Sequence, residues 1–159
     1  MKWFWLIPLL PGASALVLAV FGRLLPKKIA AWQACLAVFG SFVLSLVSFF
    51  GLLLVPAEGL PLVKTFFRWI QSGQFSADLA FRLDPLSSVM TLVVTGVGFL
   101  IHVYSVGYMA GDGGYRRYFT YLNLFTFAML ILVLASNLVL MFVGWEGVGL
   151  CSYLLIGFW

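Results

Sequence analysis

Glu146 stands near the middle of an apolar run, Leu138 to Trp159, that carries no other charge. A helix rises about 1.5 Å per residue, which places this carboxylate roughly 12 Å along from Leu138 and close to the midplane of a bilayer. An ionisable group at that depth costs about 3 kcal/mol or more, and by default it marks the path of an ion or a proton. At about 100° per residue its face also carries Phe142, Val143, Gly149, Leu150, Tyr153 and Gly157. The two glycines thin that face, leaving room for water or for another helix. Tyr153 adds a hydroxyl about two turns further along. Desolvation favours the protonated acid and a nearby cation favours the carboxylate, so a movable lysine beside Glu146 would make it a charge switch. No other apolar segment contains Lys or Arg in its interior, so that partner is expected on another chain or on sequence beyond this one. The structural alternative is a carboxylate kept protonated and hydrogen-bonded for packing.

The other chemically capable residues carry weaker signals. His102 has Tyr104, Ser105 and Tyr108 nearby. Histidine titrates near neutrality and suits a proton relay; a histidine simply bonded to a neighbouring carbonyl is an equal reading. One histidine cannot supply both axial ligands of a bis-histidine haem. Asp84, followed by Pro85, has the pattern of a helix N-cap with proline in the first turn. Arg116 and Arg117 read as topology anchors. Cys35 and Cys151 fall in separate apolar segments, which suggests neither a disulfide framework nor a metal spacing. The sequence has no Gly-rich phosphate loop, cysteine cluster or nucleophile triad.

These residues have to be positioned by membrane helices. Hydrophobic residues make up 64% of the 159 and charged residues 9%, against a soluble norm of about 25% charged. Apolar stretches long enough to cross a bilayer, about 20 residues, recur along the chain. The expected fold is an all-α membrane protein with five transmembrane helices, at residues 3–22, 29–55, 85–108, 118–134 and 138–159. Only Ala135, Ser136 and Asn137 separate the last two, so a tight turn is required there. Residues 56–84 form the sizeable extramembrane connection. Phe75, Ala77, Leu79, Phe81 and Leu83 alternate with more polar neighbours, and Thr65–Ile70 is rich in aromatic and β-branched residues. This pattern predicts a short β-hairpin turning at Gln71-Ser72-Gly73; an interfacial amphipathic stretch around Phe66, Phe67, Trp69 and Ile70 is the alternative.

Charge sets the orientation. Arg23, Lys27, Lys28, Arg116 and Arg117 fall in connections on one side, and the hairpin carries Lys64, Arg68 and Arg82 with Glu58, Asp78 and Asp84 on the other. Positive residues in short loops mark the cytoplasmic side, which puts the hairpin and the amino terminus outside. The net charge of +4 thus reflects membrane orientation, with no nucleic-acid footprint. Ala13-Ser14-Ala15 after an apolar run partly mimics a signal peptide, but most of the positive charge follows the run.

The sixteen-residue run from Gly144 to Trp159, Gly-Trp-Glu-Gly-Val-Gly-Leu-Cys-Ser-Tyr-Leu-Leu-Ile-Gly-Phe-Trp, closely resembles one family: the proton-translocating subunit L of bacterial respiratory complex I, equivalent to mitochondrial subunit 5. Leu83-Asp84-Pro85-Leu86-Ser87, Gly96 through His102, and Tyr115-Arg116-Arg117-Tyr118-Phe119 support the resemblance, which covers the whole chain in order. It implies a helical fold with inverted repeats, each holding a half-channel. It also implies that Glu146 matches the essential membrane glutamate, His102 a third-helix histidine and Asp84 a recurrent motif residue. The implied function is proton translocation coupled to NADH oxidation and quinone reduction. NADH, flavin, iron–sulfur clusters and quinone would sit on other subunits, with no cofactor in this chain. Its expected partners are other membrane-arm subunits and the lipid bilayer, in a bacterial plasma membrane. The chain stops after the fifth helix, so it reads as the amino-terminal part of a longer protein or a truncated product, not expected to pump alone. A sodium/proton antiporter subunit of the same superfamily and a non-transporting assembly fragment are the alternatives.

Overall fold

Within lipid a helix is the simplest way for a chain to satisfy its own N–H and C=O groups. A computed structural model, describing residues 3–159, shows five of them and one hairpin. The order is α1 (Leu6–Phe21), α2 (Lys27–Leu52), a short 3-10 turn (Ala57–Gly59), β1 (Leu62–Ser72), β2 (Phe75–Leu83), α3 (Pro85–Tyr108), α4 (Tyr115–Leu134) and α5 (Leu138–Ile156). Helices α2 to α5 are long and apolar enough to cross a membrane.

The helices differ from the expected spans by a few residues at several ends, three of which bear on the site. The first helix starts at Leu6 rather than residue 3, with Trp5 at its N-cap making no side-chain cap bond. Tight turn bonds from Leu6 N to Trp3 O (3.0 Å) and from Ile7 N to Phe4 O (3.1 Å) stand there instead. At 16 residues α1 is about 24 Å long, short of a full hydrocarbon core. Helix α2 begins at Lys27, not residue 29, because Pro26 is a natural helix entrance and lysine stems can lie along the first turn with their charges in water. Helix α4 begins at Tyr115, so Arg116 and Arg117 belong to its first turn and not to a connecting loop.

The bundle is built inside out relative to a soluble one. In α2 most buried positions are small, Ala30, Ala31, Ala34, Cys35, Ser41, Ser45 and Ser48 beside Val38 and Leu52, while Trp32 is 68% exposed and Phe50 60%. Small residues let helices approach closely where lipid offers no hydrophobic reward for burial. Most buried hydroxyls of the bundle are satisfied by a carbonyl a turn back, Ser14 Oγ being an exception among the described residues. Ser45 Oγ donates to Ser41 O (2.8 Å), Thr95 Oγ1 to Thr91 O (2.7 Å), Thr126 Oγ1 to Leu122 O (3.0 Å), and Thr91 Oγ1 to Ser87 O. Ser41 Oγ reaches across to Ile7 O of α1 at 2.8 Å.

Helices α4 and α5 meet through glycine. A Cβ at Gly144 would lie 2.6 Å from Leu132 N, and one at Gly147 would lie 3.0 Å from Ala128 Cβ. The turn between them is fixed by Asn137, whose side chain accepts from Leu140 N (2.9 Å) and donates to Asp78 O of β2 (2.7 Å). Ser136 N donates to Ala80 O (3.1 Å), and Phe81 pairs with Ala135 as an isolated bridge. The hairpin is therefore clamped to the end of the bundle. It turns at Gly73, whose φ of 57° favours glycine, one residue beyond the expected centre. Pairing is antiparallel from Leu62↔Leu83 to Ser72↔Phe75, with irregularities beside Phe66 and Trp69. Ala77, Ala80, Phe81 and Leu83 turn inward, whereas Phe66, Phe67, Trp69 and Ile70 remain exposed on β1.

Helix α3 starts on a reciprocal cap. Asp84 Oδ1 accepts from Ser87 N and Asp84 N donates to Ser87 Oγ, both at 2.8 Å, with Pro85 in the first turn. Burial tends to raise the Asp84 pKa, but the Ser87 hydrogen bonds and the Arg82 guanidinium (Nε to Oδ2, 3.2 Å) outweigh it and hold the carboxyl below its usual range. At the other end Asp112 accepts from Trp159 Nε1 (3.0 Å) and Gly114 N (2.6 Å), while Lys27 Nζ donates to Asp112 O (2.9 Å).

Two outcomes are expected. Gly144→Ala overpacks a backbone contact and should destabilise the α4–α5 pair by about 1–3 kcal/mol, whereas Gly149→Ala, with nothing near its Cβ position, should change stability little. Reversible unfolding in detergent, monitored by circular dichroism, compares them. Second, a depressed folded-state pKa contributes stability that is present above the ordinary carboxylate value and lost as pH falls through the depressed one. The stability advantage of wild type over Asp84→Asn should therefore shrink on acidification below about pH 4. An advantage that grows in acid would contradict this cap.

Candidate functional site

Helix α5 is apolar on every side, so its sequence alone does not say which face packs inward. The structure does: Leu140, Gly144 and Cys151 are buried, and they line up at helical spacing against α4. Glu146 lies two residues past Gly144, about 200° round, and so projects on the opposite side. It is exposed, together with Phe142, Val143, Trp145, Gly149, Leu150 and Tyr153. A Cβ at Gly149 would meet nothing within 4 Å. No described residue covers this face. The carboxylate thus sits mid-helix on a surface open to whatever packs or solvates there.

Tyr153 shares that face and lines a pocket of about 180 Å³ with Arg117, Tyr121 and Phe158. The Arg117 guanidinium stands 4.8 Å from the Phe158 ring centroid, which fixes it beside the pocket. Tyr153 thus stands between the exposed face of α5 and the Arg117 end of the bundle.

His102 is elsewhere. It is fully buried between α3 and α4, a helix away from Glu146. Its Nδ1 lies 2.7 Å from Gly98 O, and since a carbonyl only accepts, Nδ1 carries the hydrogen. Nε2 then accepts from Asn123 Nδ2 (3.2 Å), whose other hydrogen goes to Phe119 O (3.1 Å). Both ring nitrogens are occupied. A small groove of about 220 Å³ lined by Val97, Ile101, Leu122 and Met129 lies alongside. Asn123 Oδ1 is buried without a hydrogen-bond partner among the described residues.

The structure therefore does not bring Glu146 and His102 together, and it leaves Asp84 at the hairpin end, committed to its cap. Asn123 escaped the sequence reasoning. Its signal was an amide in the middle of the fourth apolar segment, where a polar side chain needs a partner on a neighbouring helix. Among the described residues no group of three His, Cys, Asp or Glu is placed to hold a metal.

Comparison with known proteins places this arrangement. Residues 69–119 match the family described as "NADH-Ubiquinone oxidoreductase (complex I), chain 5 N-terminus". Residues 135–159, which contain Glu146, match "NADH:quinone oxidoreductase/Mrp antiporter, TM". NADH-quinone oxidoreductase subunit L of Mycobacterium tuberculosis is 46% identical over 98% of this chain and 24% of its own length. Subunit L of Rickettsia bellii is 43% identical over 97% and 24%. Subunit 5 of the chloroplast NAD(P)H-quinone oxidoreductase of Chlorokybus atmophyticus is 41% identical over 99% and 24%. The chain thus spans about a quarter of the length of these relatives. Among solved structures, the Mrp complex of Dietzia sp. matches with a TM-score of 0.75 and 28% identity, covering 97% of this chain and 16% of that one. With a helical membrane fold, a hairpin at one end and identity above 40% along nearly its whole length, the chain belongs to the family of NADH-quinone oxidoreductase subunit L and chain 5.

Proposed function

We propose that the chain is part of a proton-translocating membrane subunit of a respiratory NADH:quinone oxidoreductase, with Glu146 as its charge switch. The observation that carries this reading is a lone carboxylate halfway along an apolar helix, on a face that no described residue covers. Left against hydrocarbon it would cost about 3 kcal/mol or more. Paired with a cation on a covering segment it stays ionised, and when the cation withdraws the protonated form is favoured. Redox chemistry on partner subunits would move that cation, and proton uptake and release at Glu146 would follow. This chain supplies no redox centre of its own in this reading. Tyr153 would relay protons between Glu146 and the basic end, which its shared pocket with Arg117 supports. Arg116 and Arg117 would anchor that end on the cytoplasmic side of a bacterial plasma membrane, with the hairpin outside.

His102 is better used as a clamp than as a relay. Its Nδ1 is tied to Gly98 O of its own helix, and its Nε2 takes the Asn123 amide of α4, so one nitrogen orients the ring and the other links the two helices. A sodium/proton antiporter subunit is the second reading, favoured by the likeness to the Mrp complex.

Glu146→Gln in the assembled complex should leave NADH oxidation running while proton uptake into inverted vesicles falls to background. Normal pumping by the fully assembled variant would overturn the switch. Transport that persists without NADH and requires sodium would favour the antiporter. For the clamp, Asn123→Leu leaves the His102 Nε2 unpaired and should cost about 1–3 kcal/mol of stability, with pumping per assembled complex retained. Loss of pumping in stable, assembled His102→Gln would instead make the histidine a relay.

A further inference from the structure

At the end of the bundle opposite the hairpin, the α1 and α4 termini enclose a pocket of about 620 Å³. Arg23, Arg116 and Arg117 line it together with Gly22, Gly113 and Gly114, and no Asp or Glu does. The one acid of the neighbouring α3–α4 connection, Asp112, is already occupied by the Trp159 indole and the Gly114 N–H. Arg116 Nε is buried and has no hydrogen-bond partner among the described residues. The pocket also opens on the first turn of α4, where free backbone N–H groups and the helix dipole favour an anion. Arg117 is near enough to feel the Asp112 carboxylate and stands over the Phe158 ring, but no carboxylate lines the pocket itself. Three guanidinium groups around one carboxylate leave positive charge for a negatively charged ligand.

A second cavity identifies what kind. An apolar groove of about 520 Å³ runs between α1 and α4, lined by Leu9, Gly12, Leu16, Leu124 and Phe127. It shares Ala19 and Thr120 with the arginine pocket, so the two adjoin along the α1–α4 seam. From Leu9 to Ala19 the groove follows ten residues of helix, about 15 Å, which is half the roughly 30 Å hydrocarbon core. The floor is shaped by Gly12, where a Cβ would stand 2.7 Å from the Phe127 ring. A charged head and a tail of one leaflet's depth are the two parts of one molecule.

We propose that this pocket and groove form a binding site for an anionic glycerophospholipid, with its phosphate among Arg23, Arg116 and Arg117 and an acyl chain along α1 and α4. Basic pockets between membrane helices are suited to such headgroups. The arginines then serve as lipid ligands as well as marking the side of the membrane.

The test uses the subunit in its native, delipidated complex. Dioleoyl phosphatidylglycerol carrying a diazirine on one acyl chain is titrated in phosphatidylcholine nanodiscs, and labelled peptides are mapped. Labelling should fall on the α1 and α4 peptides and saturate. Each arginine changed to Gln should weaken it about fivefold, while Lys64→Gln and Arg68→Gln in the hairpin should not. Ala19→Trp, which blocks the groove without touching charge, should abolish acyl labelling and guards against misfolding of the arginine variants. Labelling unaffected by both the triple arginine variant and Ala19→Trp would overturn the proposal. So would competition by inorganic phosphate together with insensitivity to Ala19→Trp, since the site would then take a free anion. Absence of labelling in the intact complex, with the arginines shielded from chemical modification, would mean a neighbouring subunit occupies them and would equally overturn it.

Discussion

The constraint on which everything else rests is that the interior of a bilayer offers no water to a polar group. Each one must find its partner inside the protein. The helices meet this for most buried serine and threonine hydroxyls by bonding them to carbonyls a turn back in their own backbone, as in the Ser41–Ser45 and Thr91–Thr95 steps, with Ser14 Oγ left over among the described residues. Those hydroxyls add no bulk, and together with alanine and glycine they allow the backbones to close on one another. Where a larger polar side chain is buried, it is used to link elements. His102 and Asn123 join α3 to α4, and Asn137 joins the α4–α5 turn to the hairpin.

The hairpin belongs to the same economy of polar groups. A turn as short as Ala135-Ser136-Asn137 leaves backbone donors and acceptors near the membrane edge, and β2 supplies the missing partners through Ala80 O and Asp78 O. Its inward side chains then fill the mouth of the bundle, where Phe81 and Leu83 pack with Ile7, Leu130, Leu134 and Leu140. The outer strand has no such duty. It keeps Phe66, Phe67, Trp69 and Ile70 exposed, at the level where aromatic rings suit a membrane interface.

Much of this was legible in the sequence, for identifiable reasons. Continuous apolar runs announce helices, and the alternation from Phe75 to Leu83 announces a strand, because each pattern carries its own period. Orientation within the bundle was not legible. In a soluble protein the apolar stripe names the packed face, but α5 is apolar all round and its packed face is marked by Gly144 and Gly147 instead. The wheel singled out Gly149 and Gly157 beside Glu146, and these remain exposed. Asn123 was overlooked because an amide gives no motif; its meaning comes from a histidine 21 residues earlier on another helix. The pocket around Arg23, Arg116 and Arg117 likewise needs the fold, since it joins residues nearly a hundred apart in the chain.

Set against this background Glu146 is the exception that defines the molecule. The His102 ring nitrogens are fully engaged, and the carboxylates of Asp84 and Asp112 accept identified donors. Glu146 alone combines mid-membrane position with an open face. An apolar surface of this kind would gain stability from Leu or Phe at this position, so the carboxylate stands there against its own energetic cost. Such a cost is sustained only if another segment covers α5 and supplies charge, and only if that pairing can change. A permanently paired, buried glutamate would add little stability over a well-packed apolar residue. In the function proposed above, the balance of these costs favours a switch over a structural ion pair, with its other half on whatever packs against Phe142, Glu146 and Tyr153.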